Sequence, residues 1–434
     1  MKKFLTPLFS CIAFAAFAQS NPRLQAKLDE QAKEIEPKVI EWRRHFHEFP
    51  ELSNRETNTG KYIADHLRGL GFEVQYPVSK TGVVGLLKGG KPGPVIGLRA
   101  DMDGLPVTER NSLAFASKVK TTFNGLETGV MHACGHDSHL AILMGVAEVL
   151  SKNKADLKGS VKFIFQPAEE GPPEGEEGGA ALMVKDGVLV NPNVDVIFGL
   201  HISSTDRVGI IGYKQGGIMA AQDSYFIKVK GRQAHGAYPW ASVDPIVVSA
   251  QIIMGLQTIV SRQSELTKEA AVITVGRFNG GIRENIISEE AMMSGTIRTL
   301  DTDMQKKIHE KIKLTATKIA ESAGATADVS IITDTPVTYN DPALMTKMLP
   351  SLQRAAGADK TMNMHAVTGA EDFAFYQQKV PGVFFFLGAM PADADPKKVA
   401  SHHTPDFFID ETAFVTGVKA MVNLTIDYMY LPSK

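Results

Sequence analysis

The 434-residue sequence predicts an α/β fold: a mostly parallel sheet, interrupted by a smaller ferredoxin-like insertion of strand order βαββαβ. Two observations carry this. Three apolar, strand-like runs each end in acidic or histidine side chains, with helical patterns between or beside them, the alternation that builds parallel sheets. From about residue 219 the texture changes to strand, long helix, two strands, helix and strand, the order of the split βαβ unit. The expected organisation is a leader over 1–18, a main domain formed by 19–218 and 339–434, and an insertion spanning 219–338.

The N-terminal "MKKFLTPLFSCIAFAAFAQSNP" combines two lysines, an apolar core and an A-x-A ending at Ala18. That is the pattern of a secretory signal peptide cleaved before Gln19, so the mature chain is expected in the periplasm or outside the cell. A lipoprotein signal at Cys11 fits less well, because Phe9 is bulky for such a box. Removing the leader leaves Cys134 as the only cysteine, so no intrachain disulfide can form. No later stretch is expected to span a bilayer. A net charge of -2 argues against a nucleic-acid surface.

In the main domain, "PVIGLRADMD" runs as a strand from Val95 to Arg99 and delivers Asp101 and Asp103. "SVKFIFQPAEEG" alternates through Val161, Phe163 and Phe165 and delivers Glu169 and Glu170, and "VDVIFGLHI" delivers His201. Helices are expected over "NRETNTGKYIADHLRGLGF", ending at Gly69/Gly71, and over "DSHLAILMGVAEVLSK", with Leu140, Leu143, Val146 and Leu150 at helical spacing. Ligands of open α/β sheets bind beyond the carboxyl ends of the strands, where these side chains fall. The insertion reads as strand "SYFIKVKG", helix "DPIVVSAQIIMGLQTIVSR", strands "AAVITVGRF" and "AMMSGTIRTL", a helix with Met304, Ile308, Ile312 and Ile319 on one face, and strand "ADVSIITDT".

Cys134 and His136 stand two apart before a helix, so an extended or turn segment would point both to one side. Taken alone, the pair fits two metal ligands, a cysteine nucleophile with its base, or a plain buried cysteine. The adjacent Glu169 and Glu170 offer one carboxylate for metal and one for proton transfer, and His201, His402 and His403 offer further imidazoles. Thiolate, imidazole and carboxylate together suit zinc or a similar divalent ion. No Ser-His-Asp set and no phosphate-binding glycine loop after a strand appears.

"RRHFHEFPELS", "RADMDGLP", "MHACGHD", "FQPAEEG", "GLH", "GRQAHGAYPW", "GTIRT", "GAEDFAFY" and "HHTPDF" follow one another along the mature chain. In that order they resemble the two-metal amidohydrolases: hippurate hydrolases, N-acyl-amino-acid amidohydrolases of the aminoacylase/carboxypeptidase type, and auxin-conjugate hydrolases. The resemblance implies a metallohydrolase domain with an inserted lid or dimerisation domain, and a homodimer formed through it. It implies two divalent ions per chain, zinc or else manganese, cobalt or nickel, held by Cys134, His136, Glu170, His201 and His403, with the thiolate shared. His403 is preferred to His402 because it stands two before Pro405. Glu169 matches the general base, and Asp101 an acid that orients a metal ligand. His235 matches a lid histidine facing the scissile carbonyl, from its own or a neighbouring subunit, while Arg298 and Asn285 resemble substrate-binding lid residues. The implied substrate is a small N-acyl amino acid, or alternatively a dipeptide or other short peptide, with neither nucleic acid nor membrane as partner. A non-catalytic metal- or peptide-binding role is the remaining reading.

Other residues fit plainer roles. His45, His47, His66, His309 and His365 read as surface or core residues, and His132 and His139 as packing or ligand-supporting groups. Asp103 and Asp137 read as turn or helix-start acids. Glu371 and Asp372 fit a helix start or a pocket equally. The loop "EEGPPEGEEGGA" is longer and more acidic than the family pattern, with Glu174, Glu176 and Glu177 read as a solvated face.

Overall fold

The three strands expected from the sequence lie side by side at the centre of one eight-stranded sheet. The computed structural model describes residues 22–432; the expected leader, with Cys11, lies outside the described residues. The sheet order is Glu73–Val78, Gly82–Lys88, Lys158–Gln166, Lys91–Asp101, Val196–Arg207, Gly382–Met390, Ile211–Tyr213 and Thr361–Asn363. Its four central strands, Lys158–Gln166 through Gly382–Met390, run parallel to one another. Antiparallel pairing is confined to the flanks. The central strands read as apolar runs because helices cover both faces.

The helix His136–Lys152 is buried from His136 to Leu150 without interruption. The sequence showed one apolar face, but this helix packs against the sheet on one side and against Glu36–Glu48 and Phe414–Met429 on the others, and a helix enclosed on all sides is apolar all round. Its first turn is anchored by buried charge. Asp137 accepts from His47 Nδ1 at 2.7 Å and pairs with Arg43 Nε at 3.0 Å, and His47 Nε2 reaches Glu109 at 3.1 Å. His47 therefore belongs to an interior ionic chain rather than to the surface.

The inserted unit has the expected βαββαβ order, with an antiparallel sheet ordered Ala271–Gly280, Glu290–Thr299, Ala221–Lys230, Thr326–Thr335. Its helices, Pro245–Gln263 and Thr302–Ser322, begin at Asp244 and Asp301, whose carboxylates accept helix N–H groups. Both lie on one face, where Ile252, Leu256, Ile308 and Ile312 meet Tyr225, Ile227 and Ile297. The helix Pro245–Gln263 corrects the expectation that no later stretch could span a bilayer, since its length and composition suffice. Val248, Ile252, Leu256 and Ile259 are buried against the sheet, so its apolarity is explained by packing. The two chain crossings between the units lie together as an antiparallel pair, Gly216–Met219 with Thr338–Asn340.

Candidate metal centre

The C-G-H spacing works through its glycine. Gly135 adopts φ 91° and caps the helix that begins at His136, and a Cβ there would overlap the Ile202 side chain. The two side chains converge because of this left-handed turn, and not through the alternation of an extended segment. Cys134 Sγ lies 3.5 Å from His201 Nε2 and 3.2 Å from His403 Nε2. His201 does not end its strand, which runs on to Arg207, but it lies two residues beyond Gly199, where pairing with Lys91–Asp101 stops. His403 holds the uncommon φ of 63° and is fixed by its N–H donating to the Ala133 carbonyl at 2.8 Å, a strain of the sort found at functional sites.

The hydrogen bonds decide which ring nitrogens are free. His402 Nε2 accepts from the Ser204 N–H and its Nδ1 donates to the Cys134 carbonyl, so both nitrogens are occupied by backbone. Burial pushes its pKa down to about 4, in keeping with a neutral ring. His139 Nε2 accepts from the Ile202 N–H at 2.8 Å, so its Nδ1 donates to Asp101 at 2.6 Å. His136 Nδ1 faces the Asp103 carbonyl at 2.9 Å and its carboxylate at 3.2 Å. This leaves His136 Nε2 buried without a partner, and Glu170 Oε1 is likewise unpartnered. Glu170 Oε1 lies 3.0 Å from His403 Nε2, which brings a carboxylate and an imidazole donor atom to one point beside Cys134.

Beneath the cavity, the buried guanidinium of Arg99 binds Asp101 at 2.6 Å, Asp372 at 2.8 Å and Glu371 at 3.0 Å. Asp103 accepts the N–H groups of Glu169 and Glu170 at 3.1 and 3.0 Å. Three carboxylates, those of Asp101, Glu371 and Asp372, thus meet at this one guanidinium, while Asp103, Glu169 and Glu170 have no ion pair with it. Burial, with Glu371 and Glu170 nearby, pushes the Glu169 carboxyl well above its usual range. Burial and the Glu170 carboxylate push the Cys134 thiol up as well. Excess negative charge in a buried cavity calls for cations.

The donors meet that need. Cys134, His136 and His201 form one cluster, Cys134, Glu170 and His403 a second, and His136, Glu169 and Glu170 a third, each with ligand atoms within 4.8 Å of one another. Cys134 belongs to two of them. Sulfur, imidazole and carboxylate are the donor set of zinc-like ions, and the two orphaned atoms fit a bound metal.

Residues 97–427 match the profile of peptidase family M20/M25/M40. The chain belongs to this family. It is 40% identical over 409 residues to a thermostable carboxypeptidase of Saccharolobus solfataricus, covering 93% of this chain and 99% of the relative. It is 36% identical to an N-acetyl-L-cysteine deacetylase of Bacillus subtilis, covering 88% and 86%. Its fold superposes with TM-score 0.77 on a dinuclear metal-binding M20 peptidase of Bacillus subtilis, at 35% identity over 92% of this chain and 100% of the other. The protein is a hydrolase of the M20 amidohydrolase/peptidase class.

The M20 cleft has a volume of about 800 Å³ and brings Cys134, Glu169, Glu170, His201 and His403 together with Arg298, Gln222 and Asp334 of the inserted unit. His136 is buried beside it, with a ligand atom within 4.8 Å of those of Glu169 and Glu170. His235 and Asn285 are not brought there by their own chain. Both are exposed, His235 on a small strand pair and Asn285 in the turn before its partner strand, with the Gly236 N–H donating to the Asn285 carbonyl and the Ala237 N–H to His235 Nδ1. Asp101 also needs correction, since it stands 3.9 Å from His136 Nδ1, while Asp103 orients that ring; Asp101 holds His139 and Arg99 instead. Sequence reasoning passed over Arg99, although an arginine within an apolar strand was a visible signal of buried charge. Glu371 and Asp372 resolve to the pocket reading.

Proposed function

We propose that this protein is an exported, metal-dependent amidohydrolase that cleaves the amide bond of N-acyl amino acids. The observation that carries the reading is Cys134 at the junction of two donor clusters, with Glu169 beside them in an open cleft. Cys134, His136, Glu170, His201 and His403 would hold two divalent ions, with zinc the best match to the donors and manganese, cobalt or nickel the others. When bound, such ions supply Lewis acidity, which polarises a carbonyl and lowers the pKa of water from 15.7 to about 7.

Glu169 takes the proton of the attacking water and returns it to the departing amide nitrogen. Arg298, on the roof of the cleft, binds the substrate carboxylate, for which a guanidinium offers paired donors. His235 stabilises the oxyanion of a neighbouring subunit's substrate, a contribution of about 3–4 kcal/mol where one donor has been removed. Support for a homodimer comes from Val247 and Met254, 55% and 69% exposed on Pro245–Gln263, and from the unpaired edge of Ala271–Gly280. The carboxypeptidase relative favours a second reading, cleavage of peptides by the same residues. Glu169→Gln is the test, assayed on N-acetyl and N-benzoyl amino acids and on dipeptides. Activity is expected to vanish with metal content unchanged, and full turnover would overturn the base assignment. Preference within the panel separates the two substrate classes.

A further inference from the structure

Of four consecutive residues, Ser53 to Glu56, the last three reach the segment that carries the two glutamates, more than a hundred positions away, and Ser53 reaches Asp103, which holds that segment. Ser53 Oγ donates to Asp103 Oδ2 at 2.8 Å, the carboxylate that accepts the N–H groups of Glu169 and Glu170. Asn54 Nδ2 donates to Glu176 Oε2 at 3.0 Å and to the Glu177 carbonyl at 3.1 Å. Arg55 Nη2 donates to Glu176 Oε1 at 2.6 Å. Glu56 Oε1 accepts the N–H of Ala168 at 2.9 Å, while its other oxygen accepts the Thr81 hydroxyl at 2.5 Å.

The loop "EEGPPEGEEGGA" is therefore tied at both ends, and its Glu176 is an anchor instead of a solvated acid. Ala168 itself has φ 54°, a conformation that costs energy for a residue with a Cβ and persists only when its surroundings impose it. Three successive N–H groups, those of Ala168, Glu169 and Glu170, end on carboxylates that are themselves buried, Glu56 at 0% and Asp103 at 1% exposure. Burying a carboxylate is expensive, and here one Glu56 oxygen is given to the residue preceding the proposed base and the other to Thr81.

We propose that Ser53–Glu56 is a positioning clamp for the Glu169–Glu170 pair, in which Glu56, through the N–H of Ala168, sets the aim of the Glu169 carboxylate. These are positioning residues, and none of them touches substrate. The inference rests on the reading of Glu169 as the base.

The experiment compares Glu56→Ala, which removes the acceptor, with Glu56→Gln, which keeps an acceptor oxygen in the same volume. Amide hydrogen exchange, metal content and kinetics are measured on each full chain. In Glu56→Ala, exchange over residues 167–171 is expected to accelerate at least ~10-fold while the Lys158–Gln166 strand stays protected. Its kcat is expected to fall ~10- to 100-fold, as misplacement by about an ångström does, with KM within about twofold and metal content unchanged. Glu56→Gln is expected to recover kcat to within about threefold of the parent, since its amide oxygen still accepts the Ala168 N–H. Unchanged exchange and kcat in Glu56→Ala, or a loss in Glu56→Gln equal to that in Glu56→Ala, would overturn the clamp. Should Glu56→Ala fail to fold, Arg55→Ala at the exposed end tests the same claim. Faster exchange over 171–177 with a lower kcat supports it, and no change in either refutes it. Glu169→Gln is run in parallel: full activity there would sink the base reading, while the exchange data would still judge the clamp.

Discussion

Gly135→Ala puts the turn between Cys134 and His136 under direct strain. Holding a non-glycine residue in the left-handed region costs about 1–2 kcal/mol. The new Cβ would also overlap Ile202, with Phe407 next in line at 3.4 Å, and forcing an extra methyl into packed surroundings costs about 1–3 kcal/mol. The sum, about 2–5 kcal/mol, corresponds to a fall in Tm of roughly 4–10 °C at about 2 °C per kcal/mol for a large chain. Relief of the overlap displaces Cys134 and His136, so affinity for zinc is expected to drop ~10- to 100-fold, the range seen when ligand-orienting groups are lost. Gly125→Ala is the control, because Gly125 has φ 79° with nothing within 4 Å of a Cβ. It carries only the backbone strain, about 1–2 kcal/mol, and should bind metal as the parent does. Thermal unfolding and metal titration read both effects. If Gly135→Ala matches Gly125→Ala in Tm and in metal affinity, the turn does not organise the site as argued.

Arg99→Met leaves Asp101, Glu371 and Asp372 without their shared cation, and an unfolding free energy from urea titration lower by about 3–5 kcal/mol is expected, the cost of orphaning buried charge. For pH, burial with Asp103 nearby pushes the Glu56 carboxyl up to about 7, against about 4.3 when unfolded. The folded state then keeps a proton that the unfolded state has lost, so stability is greatest on the acid side and declines as pH rises from about 4.3 to about 7, by on the order of 3 kcal/mol. Glu56→Gln should remove that decline, seen as a Tm difference from the parent that grows between pH 5 and pH 7.5. Met254→Asp places a charge on the exposed face of Pro245–Gln263, so light scattering should report a monomer with sharply reduced activity. A fully active monomer would remove His235 from the mechanism.

The sequence showed the main architecture because its signals are local. The runs at Val95–Arg99, Val161–Phe165 and Val196–Phe198 are strands by composition, and the insertion announces itself by its order of periods. The Cys134, His136, Glu169, Glu170, His201 and His403 set was legible as motif chemistry. What was hidden depends on distances between remote segments. Asp101 and Asp103 look alike in "RADMD", and only the fold shows that the second faces His136 while the first faces His139. His235 reads as a site residue, yet its own chain holds it away from the cleft. Glu56 carries no local mark at all, and its meaning comes from Ala168, 112 positions onward.

On the proposed reading, Cys134 would help hold two divalent ions in this cleft, and both would be needed for hydrolysis. The most direct test of that reading is titration of metal-stripped protein with zinc while following hydrolysis of an N-acetyl amino acid. Activity is expected to reach its plateau at two ions per chain in the parent and to be lost at every zinc level in Cys134→Ser. Full activity at one ion per chain, or activity that survives stripping, would contradict the account.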